Sequence, residues 1–242
     1  MTGLLFCGRE LAAVNKPPGV SLATGRGGGA AAVARLLACL SQREREQLAG
    51  PLFLVHRLDV ATSGVVLLAR SREVHRQLAA AFARGQVHRV YLALVWGKVR
   101  PAQGCFDVPL GPDRRDRRKM RPDPAGKRAT TLYRRLAAQG PVSLVKLAPL
   151  TGRTHQLRVH LAAAGHPIVG DDLYGGPRHH GVRDRELRSL LSPPHLLLHA
   201  FRLELPPALG GLAFEAPLPE AFTEALERLG LASALAQRDL RP

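Results

Sequence analysis

The sequence predicts an α+β fold organised around a mostly antiparallel mixed sheet with flanking helices. Three observations carry that expectation. Strand-like segments come in runs instead of alternating strictly with helices. Helical patterns are few, and several carry cap residues at their ends. A 242-residue chain with 45% hydrophobic and 22% charged residues has enough apolar side chain to bury a sizeable core.

In chain order, LAAV at 11–14 reads as a strand. A glycine tract follows, with 24–29 expected as a flexible loop, and an alanine-rich helix over 30–40. LFLV at 52–55 and VVLLA at 65–69 are short apolar runs that suit buried strands, with a polar turn between them. Ser71 and Gly85 frame a helix over 72–84 as N-cap and C-cap. Strands are expected over 87–96, 129–136, 142–149 and 196–205, and helices over 154–164, closed by Gly165, and 219–229, closed by Gly230. No Ser/Pro linker, repeat or heptad run interrupts the chain, so a single domain over 1–242 is expected.

Several classes are excluded. The longest apolar runs fall far short of the roughly 18 residues that span a bilayer. The start, MTGLLFCGRE, lacks the charged leader and apolar core of a secretory signal, which makes a cytoplasmic location the expectation. Cys7, Cys39 and Cys105 are widely spaced and form no CxxC pair, so they read as buried, inert thiols. Gly25-x-Gly27-x-x-Ala30, with Glu44 or Glu46 downstream, fits a dinucleotide-binding turn only formally, because no regular βαβ frame follows. There is no HExxH, and His155 and His160 are separated by about 140 degrees around a helix. His179 and His180 sit in a polar stretch, and His195 and His199 would share a face only on a helix. Neither metal nor cofactor is predicted.

Charge is the largest compositional signal. Lys plus Arg number 35 against 19 Asp plus Glu, a net +16, which points to a polyanionic partner. The density peaks at 114–128, RRDRRKMRPDPAGKR, where eight basic and two acidic residues leave +6. Such a run reads as a solvated loop, and phosphate contacts explain its charge better than solubility alone.

The sharpest chemical motif is HRLDVATSG at 56–64, between two strand candidates. A carboxylate there, among Thr62, Ser63 and nearby backbone amides, can be held in one orientation, as a nucleophile requires. An Asx-turn, with Asp59 merely satisfying backbone donors, is the alternative reading of these residues. Tyr91 shares a strand face by parity with Val87, Arg89, Ala93 and Val95, and is read either as core or as a stacking platform. On the 154–164 helix Arg158 lies near His155, while Gln156 and His160 share another face at spacing four. An isolated arginine at such a position would ordinarily face solvent.

HRLDVATSG resembles the catalytic motif of the RluA-type pseudouridine synthases, and further matches follow in the family's order. These are Asn15-Lys16-Pro17-Pro18-Gly19, Arg89-Val90-Tyr91-Leu92-Ala93, the basic segment Arg117-Arg118-Lys119-Met120 with Gly126-Lys127, TGRTHQLRVH at 151–160, Gly165-His166-Pro167-Ile168, Gly170-Asp171, Tyr174-Gly175 and Leu198-His199-Ala200. The resemblance covers about residues 4–225. It implies a pseudouridine synthase fold with a central catalytic cleft, in which Asp59 is the nucleophile, Tyr91 stacks near the target uracil and Arg158 pairs with the catalytic carboxylate. Arg57 would occupy the space vacated by a flipped nucleotide. A guanidinium beside Asp59 would favour its ionised form against desolvation. The expected RNA contacts are His56, Arg57, Arg114, Arg115, Arg117, Arg118, Lys119, Lys127, Arg153 and His155. No N-terminal RNA-binding domain is expected, and the partner is tRNA and/or rRNA, bound by a monomer without membrane, metal or cofactor. The competing function is a noncatalytic RNA-binding or ribosome-assembly protein on the same fold.

Overall fold

Residues 11–16 and 63–69 are buried at every position, so their apolar runs lack the polar alternation of a half-exposed sheet. The computed structural model describes residues 3–23, 28–176 and 178–236. Along the chain these form β1 (Gly3–Cys7), β2 (Leu11–Lys16), α1 (Gly28–Leu37), α2 (Gln42–Gln47), β3 (Phe53–Leu54), β4 (Ser63–Ala69), α3 (Arg72–Ala83), β5 (His88–Trp96) and β6 (Gln103–Asp107). They continue with β7 (Leu110–Pro112), β8 (Met120–Pro122), β9 (Thr130–Gln139), β10 (Val142–Pro149), α4 (Gln156–Ala163), α5 (Arg185–Leu190), β11 (Leu198–Glu204), β12 (Ala213–Glu215), α6 (Glu220–Arg228) and α7 (Ser233–Ala236). Contacts divide the chain into two units, Met1–Arg89 with His199–Pro219, and Val90–Leu198 with Glu220–Pro242.

In the first unit the strands run β1-β2-β4-β11, with β3 also on β4 and β12 on β11. All pairs are antiparallel except β4 with β11. That parallel contact matches His199 to Ser63 and Ala200 to Gly64. Gly64 has φ +118, and a Cβ there would lie 2.2 Å from the Ala200 carbonyl oxygen. Only glycine lets the two backbones meet directly after the 56–62 turn. The core joins Leu11, Val65, Leu67, Leu78, Leu203 and Phe214. Ser71 caps α3 as expected, its hydroxyl accepting the Val74 N–H.

The second unit is an antiparallel sheet in the order β5-β10-β9-β6, beside a separate β7–β8 hairpin. Val159 of α4 packs with Leu110 and Ala129, and Met120 and Tyr174 join them.

Several sequence expectations change. The helix expected at 30–40 runs Gly28–Leu37, so Gly28 and Gly29 are helical; 24–27, with the candidate dinucleotide turn, lie outside the described residues. The basic segment is not a loop throughout, since Met120–Pro122 is strand β8. Cys7 and Cys105 are exposed rather than buried, and Cys39 is intermediate. None of the helices among the described residues is long and apolar enough to cross a membrane.

Candidate active site

The first unit carries the HRLDVATSG turn between β3 and β4. The Thr62 N–H donates to the Asp59 carbonyl at 3.1 Å, closing the turn. Its outer side is fastened to the NKPPG segment, because the Val60 carbonyl accepts both the Gly19 N–H at 2.8 Å and the Lys16 ammonium at 3.1 Å. Lys16 is 0% exposed, and its Nζ also donates to the carbonyls of Pro17 at 2.8 Å and Val20 at 3.0 Å. Three carbonyls thus match the three donors of an ammonium. Burial pulls the Lys16 pKa down to about 8, with the negative charge of Asp59 opposing that fall. The Val60 side chain, beside Asp59, is 49% exposed, an apolar surface at the tip of the turn.

Behind the turn, the Ser63 hydroxyl meets His199 Nδ1 at 2.8 Å, and His199 Nε2 meets the Ala216 carbonyl at 3.0 Å. A neutral imidazole satisfies both bonds when Nε2 donates and Nδ1 accepts. Burial lowers the His199 pKa to about 4, which keeps it neutral. His56 Nε2 accepts the Leu67 N–H at 3.1 Å, and the ring stacks on Phe82 with centroids 4.6 Å apart. Burial, assisted by the Arg89 charge, lowers its pKa to about 3. Arg57 is exposed and Asp59 half-buried.

In the second unit Tyr91 lies on β5, paired with Leu147 and half-buried between the fully buried Val90 and Leu92. Arg158 does not face solvent. Its Nε and Nη2 each donate to Asp171 at 2.8 Å, and the two side chains are 8% and 0% exposed. This is the bidentate, desolvated geometry in which an arginine is held rigidly. Asp171 Oδ1 also accepts the N–H groups of Leu173 and Tyr174 at 3.1 Å. The Arg158 guanidinium lies 5.0 Å from the Tyr174 ring centroid.

His155 precedes α4 in a left-handed conformation, φ 55, and its Nδ1 lies 2.8 Å from the Tyr174 hydroxyl. That departure explains why the helix begins at Gln156 and not at 154. Gln156 and His160 share a face as expected, both reaching the Thr131 hydroxyl, at 2.9 and 3.0 Å. No group of three or more His, Cys, Asp or Glu side chains suited to a metal occurs among the described residues.

A family model described as RNA pseudouridylate synthase matches residues 10–163, a span that contains Asp59, Tyr91 and Arg158. The chain belongs to that family. This pseudouridine synthase is 38% identical over 224 residues to an uncharacterized RNA pseudouridine synthase of Zymomonas mobilis, covering 91% of this chain and 95% of the relative. It is 42% identical over 167 residues to the dual-specificity RNA pseudouridine synthase RluA of Escherichia coli, covering 67% and 72% of the two chains. Among solved structures, human RNA pseudouridylate synthase domain containing 4 superposes with a TM-score of 0.74 at 31% identity, over 94% and 93% of the chains. The protein therefore has the pseudouridine synthase fold and is an isomerase acting on RNA.

The synthase's most basic segment, 114–128, lies on and beside the β7–β8 hairpin. Arg114, Arg115, Arg117, Arg118 and Lys127 are exposed, and Lys119 is half-buried. The turn is shaped by its acids: Asp113 Oδ1 accepts the N–H groups of Arg115 and Asp116, at 2.7 and 3.0 Å. Arg118 forms a bidentate pair with Asp116, at 3.0 and 2.8 Å, so part of the segment's positive charge is matched internally. Arg153 is exposed and donates through Nε to the Arg128 carbonyl at 3.0 Å. The second unit thus joins His155, Arg158 and the hairpin base around Tyr174, while His56, Arg57 and Asp59 share one turn of the first. Sequence reasoning left Lys16, Asp171, Tyr174 and His199 outside the candidate site. Each stood inside a quoted motif, but a buried role for a lysine or a carboxylate has no signature in one sequence.

Proposed function

We propose that this synthase isomerises uridines of tRNA and/or rRNA with Asp59 as the nucleophile. In the reaction the C1′–N1 bond breaks, the uracil turns and a C1′–C5 bond forms; C5 loses a proton and N1 gains one. The change is redox-neutral. Asp59 bonds to the nucleoside and is later released. Tyr91 offers a flat face and polar tip to the flipped uracil, Arg158 supplies the cation for the catalytic carboxylate, and Arg57 fills the place of the extruded nucleotide. The exposed arginines of the β7–β8 turn, with Lys119, Lys127, Arg153 and His155, hold the RNA, while His56, bonded to the Leu67 N–H and stacked on Phe82, supports the turn from within instead of touching RNA as the sequence suggested.

The observation that carries this reading is the fastening of the Asp59 turn. A fully buried lysine bonded to the carbonyl of Val60, the residue after Asp59, fastens the backbone from which the carboxylate projects, more than an Asx-turn needs. A transcriptome-wide pseudouridine map comparing parent and deletion strains tests the substrate class. Loss of one or more tRNA or rRNA sites is expected, and an unchanged map would overturn the assignment.

A further inference from the structure

The β7–β8 hairpin and Arg158 are separate parts of the proposed function, one gripping the RNA and one serving the carboxylate, yet a single side chain touches both. Met120, the first residue of β8, follows the basic turn directly and pairs with Pro112. The Met120 N–H donates to the Tyr174 hydroxyl at 2.8 Å. The same phenol oxygen lies 2.8 Å from His155 Nδ1, within hydrogen-bond distance. Met120 and Tyr174 also pack on one apolar cluster with Val159 of α4.

The other end of the tyrosine reaches the catalytic cation. Its ring lies under the Arg158 guanidinium, and its N–H is held by the Asp171 oxygen that accepts Arg158 Nη2. His155, held by the hydroxyl, precedes the helix that carries Arg158, and its left-handed φ sets where that helix starts. The hairpin base, the start of α4 and the Arg158–Asp171 pair therefore share one set of contacts.

We propose that Tyr174 is a positioning residue that fixes the register between the RNA-gripping hairpin and Arg158, so that RNA held by the turn presents its uridine in phase with the catalytic cation. The inference rests on the reading that the hairpin holds RNA. It has a consequence that a purely structural tyrosine lacks. Without the hydroxyl the hairpin still grips, but out of phase, so the defect falls on the rate of chemistry and depends on the grip being present.

The test is a cycle of Tyr174→Phe with the hairpin variant Arg114, Arg115, Arg117 and Arg118→Ser, assayed in single turnover on total RNA from a deletion strain. Tyr174→Phe alone should lower the plateau rate about tenfold, the scale of a lost hydrogen bond, with half-saturation and salt dependence unchanged. In the hairpin variant the same substitution should lower the plateau rate less than about threefold, because no misplaced grip remains. Hydrogen exchange of the Met120 amide should quicken in Tyr174→Phe with the fold retained. Equal losses in both backgrounds would overturn the coupling, as would an unchanged Met120 amide. An unchanged salt slope in the hairpin variant alone would instead refute the RNA grip, and the coupling with it.

Discussion

Replacing Lys16 by Met separates what its ammonium does for stability from what it does for Asp59. In the folded protein its pKa is about 8 against an ordinary 10.5, so keeping it charged at neutral pH costs about 3 kcal/mol. The methionine removes that cost but leaves the Pro17 and Val20 carbonyls without this donor, at about 1–3 kcal/mol each. The net loss of stability is then about 3 kcal/mol at most. The Val60 carbonyl keeps the Gly19 N–H, but the clamp beside Asp59 and its neighbouring cation are gone. A loss of one charge-assisted hydrogen bond from the positioning of Asp59 lowers turnover about tenfold or more. The wild-type pH profile gives an independent reading of the same group. Between about pH 8 and 10.5 the unfolded chain binds the Lys16 proton and the folded chain does not, so this group's contribution to stability rises with pH across that window. Activity should move the opposite way, because a neutral amine has two hydrogens for three carbonyls. Single-turnover rates measured from pH 6.5 to 9.5, alongside denaturant unfolding, should show an alkaline fall near pH 8 in the wild type that Lys16→Met lacks. A wild-type rate flat across that range, or the same fall in Lys16→Met, would refute the reasoning.

Other outcomes follow from the same contacts. Arg158→Met strips the buried Asp171 of its bidentate partner, so it should lower turnover more than RNA affinity and destabilise the fold by about 3–5 kcal/mol, read by kinetics and denaturant unfolding together. His199 is neutral in the folded state down to about pH 4, so its contribution to stability, present above pH 6.5, is lost as pH falls from 6.5 to about 4, by up to about 3 kcal/mol; His199→Gln should flatten that part of the stability profile. Replacing Arg114, Arg115, Arg117 and Arg118 with Ser should weaken binding across many RNA sequences and reduce the slope of log affinity against log salt, with saturating RNA restoring most turnover.

Where local chemistry decides structure, the sequence was legible. The Ser71 cap starts α3 where expected, and the buried runs of β2 and β4 stood out as apolar. Elements held by contacts remote in sequence were not. QREREQ of α2 has no apolar face, and the one local signal that could have found it, the capping box from Ser41 to Glu44, was passed over; the remote contact is the Leu4 N–H, which the Glu44 carboxylate accepts at 2.8 Å. The strand β6 is mostly exposed and polar, so nothing in its pattern announces a sheet edge. At the candidate site, the turn that carries Asp59 was legible because it lies in one continuous motif. Asp171 and Tyr174 were not, because their partners Arg158 and Met120 lie 13 and 54 residues away. The left-handed backbone of His155 is an uncommon conformation that histidine adopts more readily than most residues, but no neighbouring pattern in the sequence marks it.

The central claim is that uridine is isomerised through Asp59, and purified Asp59→Asn tests it most directly. Incubated in excess with total RNA from a deletion strain, the variant should bind the RNA with wild-type affinity and salt dependence and form no pseudouridine, because the lost bond belongs to the chemical step alone. Pseudouridine formed at the wild-type site by Asp59→Asn would contradict the assignment and return Asp59 to the role of a turn residue.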